Sequence, residues 1–163
     1  MNSPTLLIDS REQTPLSFTN FTHEVSTLPT GDYSVKGLED TITVERKSVS
    51  DLIGSLTSGR ERFQREVQRM LAHRSRTLLI VGNGTDPRTT ITDGDYRSQA
   101  RPQSILASLA SIEAKGVAVK YSPSPEDAAR WIETLAWYSW RSQQIAAGNG
   151  TPKTPPSILS NLY

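Results

Sequence analysis

The stretch Thr41 to Leu52, TITVERKSVSDL, runs from a β-favouring alternation into three consecutive charges and then directly into a helix pattern. Side chains alternate between the two faces of a strand, so Thr41, Thr43, Glu45 and Lys47 share one side while Ile42, Val44 and Arg46 share the other. An acid and an amine therefore project together at the strand's end. Ser48 to Asp51 has the S-x-x-D form of a capping box and predicts a short helix over 49–56. A helix N-terminus placed just past this pair favours a phosphate.

Working outward, TLLIDSRE (5–12) predicts a short buried strand, and HEVSTLPTGDYSV (23–35) a strand, a turn around Pro29 and Gly31, and a second strand. Ser58 to Glu61 repeats the capping-box form and opens a longer helix over 59–74, with Phe63, Val67, Met70 and Leu71 as its buried stripe. Arg62, Arg65 and Arg69 fall on a different face of it. RTLLIVGNG predicts a central strand, and 83–99 is polar, turn-rich and expected to be an exposed, mobile loop. A helix over 102–115 stops at Gly116, VAVKY forms another strand, and Ser124-Pro125 begins a last helix running to about Gln144. Residues 145–163 lack periodicity and are expected to form a flexible tail after a domain spanning 1–144. Strands alternating with helices indicate an α/β fold, a three-layer α/β/α sandwich with a mixed central sheet.

The chain has 163 residues, fitting one domain, and no apolar run approaches a bilayer span. Its start lacks the pattern of a secretory signal, so a cytoplasmic chain is expected, without a membrane partner. There are no cysteines and only two histidines, His23 and His73, which excludes disulfides, thiolate zinc sites and cysteine nucleophiles. A metal here would have to be held by oxygen. Net charge is only +1, but six arginines between Arg60 and Arg76 face just two acids, a local basic surface.

The E-x-K spacing, with Asp32 in the preceding turn, matches the needs of magnesium-assisted phosphodiester hydrolysis. Carboxylates hold a hard cation that prefers oxygen, while the ammonium orients water or offsets charge on the phosphate. The same spacing also describes a solvated ion pair; the strand context and the following helix N-terminus weigh towards the site. A second GDY, Gly94 to Tyr96, has no E-x-K strand after it and reads as a turn.

VERKSVSDLIGSLTSGR closely resembles the signature of the XPF-type structure-selective DNA endonucleases, the branch of the PD-(D/E)XK superfamily with the motif G-D-x(n)-E-R-K-x-x-x-D. Here the motif is Gly31, Asp32, Glu45, Arg46, Lys47 and Asp51. IDSRE, LIGSLTSGR and YSPSPEDAARW resemble further family segments, so the likeness covers residues 5 to 142. It implies a restriction-endonuclease-like fold, with Asp32, Glu45 and the backbone carbonyl of Arg46 as metal ligands and Lys47 positioning the water. It places Asp9 and Glu12 beside the metal, Asp9 as an outer-sphere or second-metal group. Arg11 and Arg60 would contact phosphate or brace the acids, and Asp51 would hold Arg46 or Lys47. With a metal site just before them, Arg62, Arg65 and Arg69 are expected to bind phosphate as well.

The resemblance further implies Mg2+, with Mn2+ substituting, and a homodimer in which aromatic residues of the last helix (Trp131, Trp137, Tyr138, Trp140) meet a partner. The expected reaction is in-line attack of water on branched or flapped DNA, leaving 5'-phosphate and 3'-hydroxyl ends. The family usually adds a tandem helix-hairpin-helix module, absent from this sequence. Selectivity is then expected from the dimer, from residues 83–99 or from a separate DNA-targeting partner, in a small stand-alone nuclease of bacterial or phage type. A Holliday-junction resolvase, a weakly selective nicking nuclease, a sequence-reading restriction-type enzyme and a non-catalytic scaffold subunit are the alternatives.

Overall fold

The computed structural model describes residues 2–160. Its six strands, β1 (Leu6–Asp9), β2 (His23–Ser26), β3 (Tyr33–Val35), β4 (Ile42–Lys47), β5 (Ser75–Val81) and β6 (Ala118–Ser122), form one sheet in the order β2-β1-β3-β4-β5-β6. Only the β1–β3 and β3–β4 pairs are antiparallel, so the sheet is mixed. On one face lie α1 (Val49–Leu56), α2 (Arg60–Met70), α3 (Pro87–Thr92) and α4 (Pro102–Ala114), and on the other α5 (Pro125–Ala146).

Alternation along β5 explains the two cores. Leu79 and Val81 pack with Ile8, Val44 and Ile132 towards α5, whereas Leu78 and Ile80 pack with Leu52, Phe63 and Leu109 beneath the other helices. A strand buried on both faces reads as a continuous apolar run, as SRTLLIV does. The expected α/β/α sandwich is the fold found.

Strands β2 and β3 flank β1, and the turn between them crosses over the end of β1. Two local expectations need correction. Residues 83–99 contain helix α3, whose Ile91 is fully buried, with Asp86 Oδ1 accepting from Arg88 N–H as its cap. One apolar residue in six is too little for periodicity, so the signal there was the Asp-Pro cap. The 59–74 helix starts at Arg60 behind Gly59, without a side-chain cap from Ser58.

The C-terminal stretch is also packed. A short α6 (Pro156–Leu159) sets Ile158 at 0% exposure against Trp137 and Trp140. Trp137 donates from Nε1 to Thr154 Oγ1 at 3.0 Å, and Arg141 Nε donates to the Pro152 carbonyl. Of the α5 aromatics expected to meet a partner, Trp137 and Trp140 are therefore covered by this chain's own C-terminal segment and by Phe21, whose ring centroid is stacked 6.0 Å from that of Trp137, while Tyr138 is exposed. Residues 161–163 of the expected tail lie outside the described residues.

Candidate active site

Register brings the acids together. Ile8 pairs with Tyr33 and Tyr33 with Val44, so the next cross-strand row holds Asp9, Asp32 and Glu45 on three adjacent strand positions. Because Ile8, Tyr33 and Val44 all face α5, alternation turns the three acids to the opposite face, under α1 and α2. Lys47, two residues past Glu45, points the same way. The row lies at the edge where β1 and β4 end and β3 begins. An open cleft of about 530 Å³ stands over it, lined by these residues, by Arg11 and the Pro29–Gly31 turn, and by Asp51, Arg62, Glu66 and Arg69.

The turn is held by backbone geometry. Asp9 N–H donates to the Asp32 carbonyl at 2.8 Å, and Asp32 N–H to the Val44 carbonyl at 2.8 Å. Gly31 has φ +79, and a Cβ there would collide with Thr43 Oγ1 and stand 3.1 Å from the Val44 carbonyl oxygen. Gly31→Ala is expected to cost about 2 kcal/mol or more and to displace Asp32. A lowered Tm together with weakened Mn2+ binding would show it; an unshifted Tm would show that the turn yields freely.

Asp32 Oδ2 accepts from the Arg46 N–H at 2.8 Å. In an extended strand the N–H and C=O of one residue leave on the same side, so the Arg46 carbonyl also points to the Asp32 edge, past the end of the β3 pairing. Burial holds Asp32 up to about 6 despite that N–H, with the Glu12 and Asp9 charges adding to it. Burial raises Glu45 to about 8, the Asp32 and Glu66 charges adding and Lys47 opposing. Two carboxylates kept close and short of counter-charge are poised to gain from a cation.

The donor set suits a hard divalent ion. Among the described residues no cluster of three or more His, Cys, Asp and Glu forms a complete cage. A Mg2+ site using one or two carboxylates needs none, since water and substrate phosphate fill the remaining positions. Asp32, Glu45 and the Arg46 carbonyl fit that pattern. Asp9 is differently employed: its oxygens accept from Leu28 N–H at 2.9 Å and from Arg11 Nε at 2.8 Å and Nη2 at 3.1 Å. Arg11 and two backbone N–H groups outweigh burial and keep the Asp9 carboxyl below its usual range. With the Leu28 carbonyl it holds the exposed Arg11, which lines the cleft.

Other expected residues are placed elsewhere. Glu12 sits on the opposite face, accepting from Tyr33 OH at 2.6 Å and from Arg46 Nη1 at 3.3 Å. Arg46 also donates to the Thr14 carbonyl at 2.7 Å, so its side chain ties down the 12–16 loop while its backbone faces the site. Strand alternation requires this separation, and Glu12, beyond the end of β1, carried no such constraint in sequence. Asp51 lines the cleft but does not grip Arg46 or Lys47, whose acid partners are Glu12 for the first and Glu45 and Glu66 for the second.

Of the arginines, Arg11, Arg62 and Arg69 line the cleft. Arg60 instead lines a separate groove with Ser108 and Lys115, and Arg65 lines neither. Arg65 stands three residues from Arg62 and four from Arg69, so spacing alone groups it with them; the orientation of α2 on the sheet leaves it outside the cleft lining. Arg76 is structural, bonding the Leu71, His73 and Gly116 carbonyls. Glu66 is the cleft residue that sequence reading missed, although its place four residues after Arg62 was the available signal.

Comparison with known proteins agrees with this geometry. The ERCC4 domain family model matches residues 8–135. The structure is similar to XPF from Aeropyrum pernix, with 27% identity and a TM-score of 0.68 over 94% of this chain and 68% of that one. It is also similar to XPF from Aeropyrum pernix in complex with DNA, with 26% identity and a TM-score of 0.64 over 85% of this chain and 66% of that one. This chain thus spans about two thirds of the length of those structures. No curated protein matches it. With its acidic row, its E-R-K strand and the family match over most of its length, the chain belongs to the ERCC4 domain family, the family of the XPF endonucleases.

Proposed function

We propose that this chain is a Mg2+-dependent endonuclease hydrolysing phosphodiester bonds in branched or flapped DNA, leaving 5'-phosphate and 3'-hydroxyl ends. The observation that carries this reading is the cross-strand row Asp9–Asp32–Glu45 with Lys47 beside it, on the floor of an open cleft edged by arginines. Bound by Asp32, Glu45 and the Arg46 carbonyl, with Mn2+ as a substitute, the cation supplies charge neutralisation at the scissile phosphate. Lys47 donates to the attacking water or to the phosphate oxygen, Glu45 Oε1 standing 3.5 Å from its ammonium. Arg11, Arg62 and Arg69 pair with backbone phosphates on either side.

Backbone recognition suits the cleft's composition. Its sole aromatic ring, Phe63, is 4% exposed, which leaves no platform for a stacked base. A polar wall of Ser50, Gly54, Ser55, Ser58 and Gly59 instead admits close approach of a sugar-phosphate chain. Shape rather than base sequence is the feature such a surface reads. A homodimer would use the exposed Tyr138 and Ile145, seven residues apart on α5, because Trp137 and Trp140 are covered. A separate targeting protein would serve the same end. Among the described residues, no helix is long and apolar enough to cross a membrane.

The test is cleavage of flap, fork, four-way and linear duplex DNA in Mg2+, Mn2+ or EDTA by the wild type, Asp32→Asn and Lys47→Ala. Cleavage by the wild type alone, abolished by EDTA, is expected, and product mapping separates a flap or fork nuclease from a junction resolvase. Full activity in both variants would remove the proposed site, and an inactive wild type on every substrate would leave a DNA-binding scaffold. Arg62→Ala and Arg69→Ala are expected to weaken DNA binding and each flatten the salt dependence of log K by about one contact, with Arg65→Ala unchanged. Equal slopes in all three would place the DNA elsewhere.

A further inference from the structure

The ammonium of Lys47 has three neighbours. Glu45 Oε1 lies at 3.5 Å, Glu66 Oε2 at 4.0 Å, and the ring centroid of Phe63 at 5.0 Å. Phe63 and Glu66 stand one helical turn apart on α2, so a single element positions both contacts. Phe63 is fixed in the core with Leu52 and Leu78, which makes its ring a rigid seat for the lysine stem and ammonium. The other Glu66 oxygen, Oε1, lies 3.6 Å from Arg62 Nε, whose side chain is 82% exposed at the cleft. Glu66 thus has a cation beside each oxygen.

This arrangement answers a difficulty in the site. A lysine stem has four rotatable bonds and loses much entropy when held still. Glu45 alone is a poor anchor, because the charge that holds Lys47 is also needed by a divalent cation. We infer that Glu66 is a positioning residue for Lys47: its charge, 4.0 Å from the ammonium, holds the stem against Phe63 and leaves Glu45 free to bind the ion. Two features speak against Glu66 as an ion ligand. Both of its oxygens already face cations, and it stands on α2, off the strand row that holds Asp32 and Glu45. The catalytic consequence rests on the nuclease reading above; the ordering of Lys47 does not.

The chain has five lysines, so the Lys47 ammonium can be followed by NMR in 15N-lysine-labelled protein and identified with Lys47→Arg. Glu66→Gln is expected to broaden or lose that signal while lowering Mn2+ affinity, read by calorimetry, by no more than about a few-fold, since Lys47 then competes with the ion for Glu45. On DNA it is expected to lower kcat by about tenfold or more with KM within about twofold of wild type. Lys47→Ala/Glu66→Gln is expected to be no slower than Lys47→Ala alone, since the residue acts through the lysine. Glu66→Asp, which keeps the charge on a shorter stem, should recover part of the rate.

An unchanged Lys47 signal overturns the inference. So does a loss that adds to that of Lys47→Ala, and a fall in Mn2+ affinity as large as that of Glu45→Gln would instead make Glu66 an ion ligand. If the wild type cleaves no DNA, the nuclease reading fails while the NMR comparison still decides whether Glu66 orders Lys47. Each variant's Tm is measured alongside; if Glu66→Gln does not fold, Glu66→Asp against wild type carries the same comparison.

Discussion

Glu45→Gln and Asp32→Asn are expected to reduce cleavage by at least about a thousandfold while raising the thermal stability of the metal-free protein. Both effects have one cause. The two carboxyls are buried side by side and raised to about 8 and about 6, so ionising them costs free energy that the metal-free fold absorbs. In the folded chain they hold protons that the unfolded chain, with the ordinary carboxyl values of 4.5 and 3.8, has already released. Stability in EDTA is therefore fully present below about pH 4 for these groups and declines as pH rises through about 6 and 8.

Replacing either acid by its amide removes that loss, by an amount on the order of 1–3 kcal/mol at pH 8. Mg2+ reverses the order, stabilising the wild type and sparing the variants. Melting curves at pH 5, 7 and 8.5, in EDTA and in Mg2+, check this directly. A wild type whose Tm in EDTA rises from pH 5 to 8.5 relative to both variants would contradict the electrostatic account, whatever the variants' activities.

The second large effect lies far from the cleft. Ile158→Ala is expected to destabilise the fold by about 2–4 kcal/mol, because it empties a fully buried site between Trp137, Trp140 and Phe21. Deleting residues 151–163 should do more, exposing two tryptophans and removing the Thr154 and Pro152 acceptors of Trp137 and Arg141. Red-shifted tryptophan emission and a lower urea midpoint are the readouts. A truncated chain with wild-type stability and emission would mean that 151–159 rests on α5 without contributing to it. Newly exposed tryptophans would also promote self-association, visible by light scattering.

The two predictions also mark where sequence reading succeeds and fails. Glu45 and Lys47 share a face because residues i and i+2 on a strand must, and their exposure to one cleft followed from that alone. Arg46 turned away for the same reason, and its side chain is found on the Tyr33 side with Glu12. Helix α1 begins behind Ser48 as its capping box required, with Asp51 N–H donating to Ser48 Oγ at 3.0 Å. Each of these is a contact within a few residues, where chemistry and spacing are both visible.

The misread features depend on partners distant in sequence. The family resemblance placed Glu12 with Asp9 beside the metal, but the chain leaves β1 after Asp9 and carries Glu12 to the α5 side. Residues 151–159 contain too few apolar positions for any period, and what orders them is an aromatic surface presented by α5. The arginines on α2 were separated by helix orientation relative to the sheet, which no pattern within α2 reports.

By itself, then, the sequence determined the strand–helix alternation, the two-sided burial of β5 and the side-by-side placement of Glu45 and Lys47, because periodicity of 2 or 3.6 is a local property of the backbone. The tertiary structure alone decided that β3 lies between β1 and β4, and hence that Asp9, Asp32 and Glu45 form one row. It alone brought Glu66 to Lys47 and folded the C-terminal segment over Trp137 and Trp140. Those placements follow from strand order and helix packing, which are set by burial of the whole core and not by the spacing of any one segment.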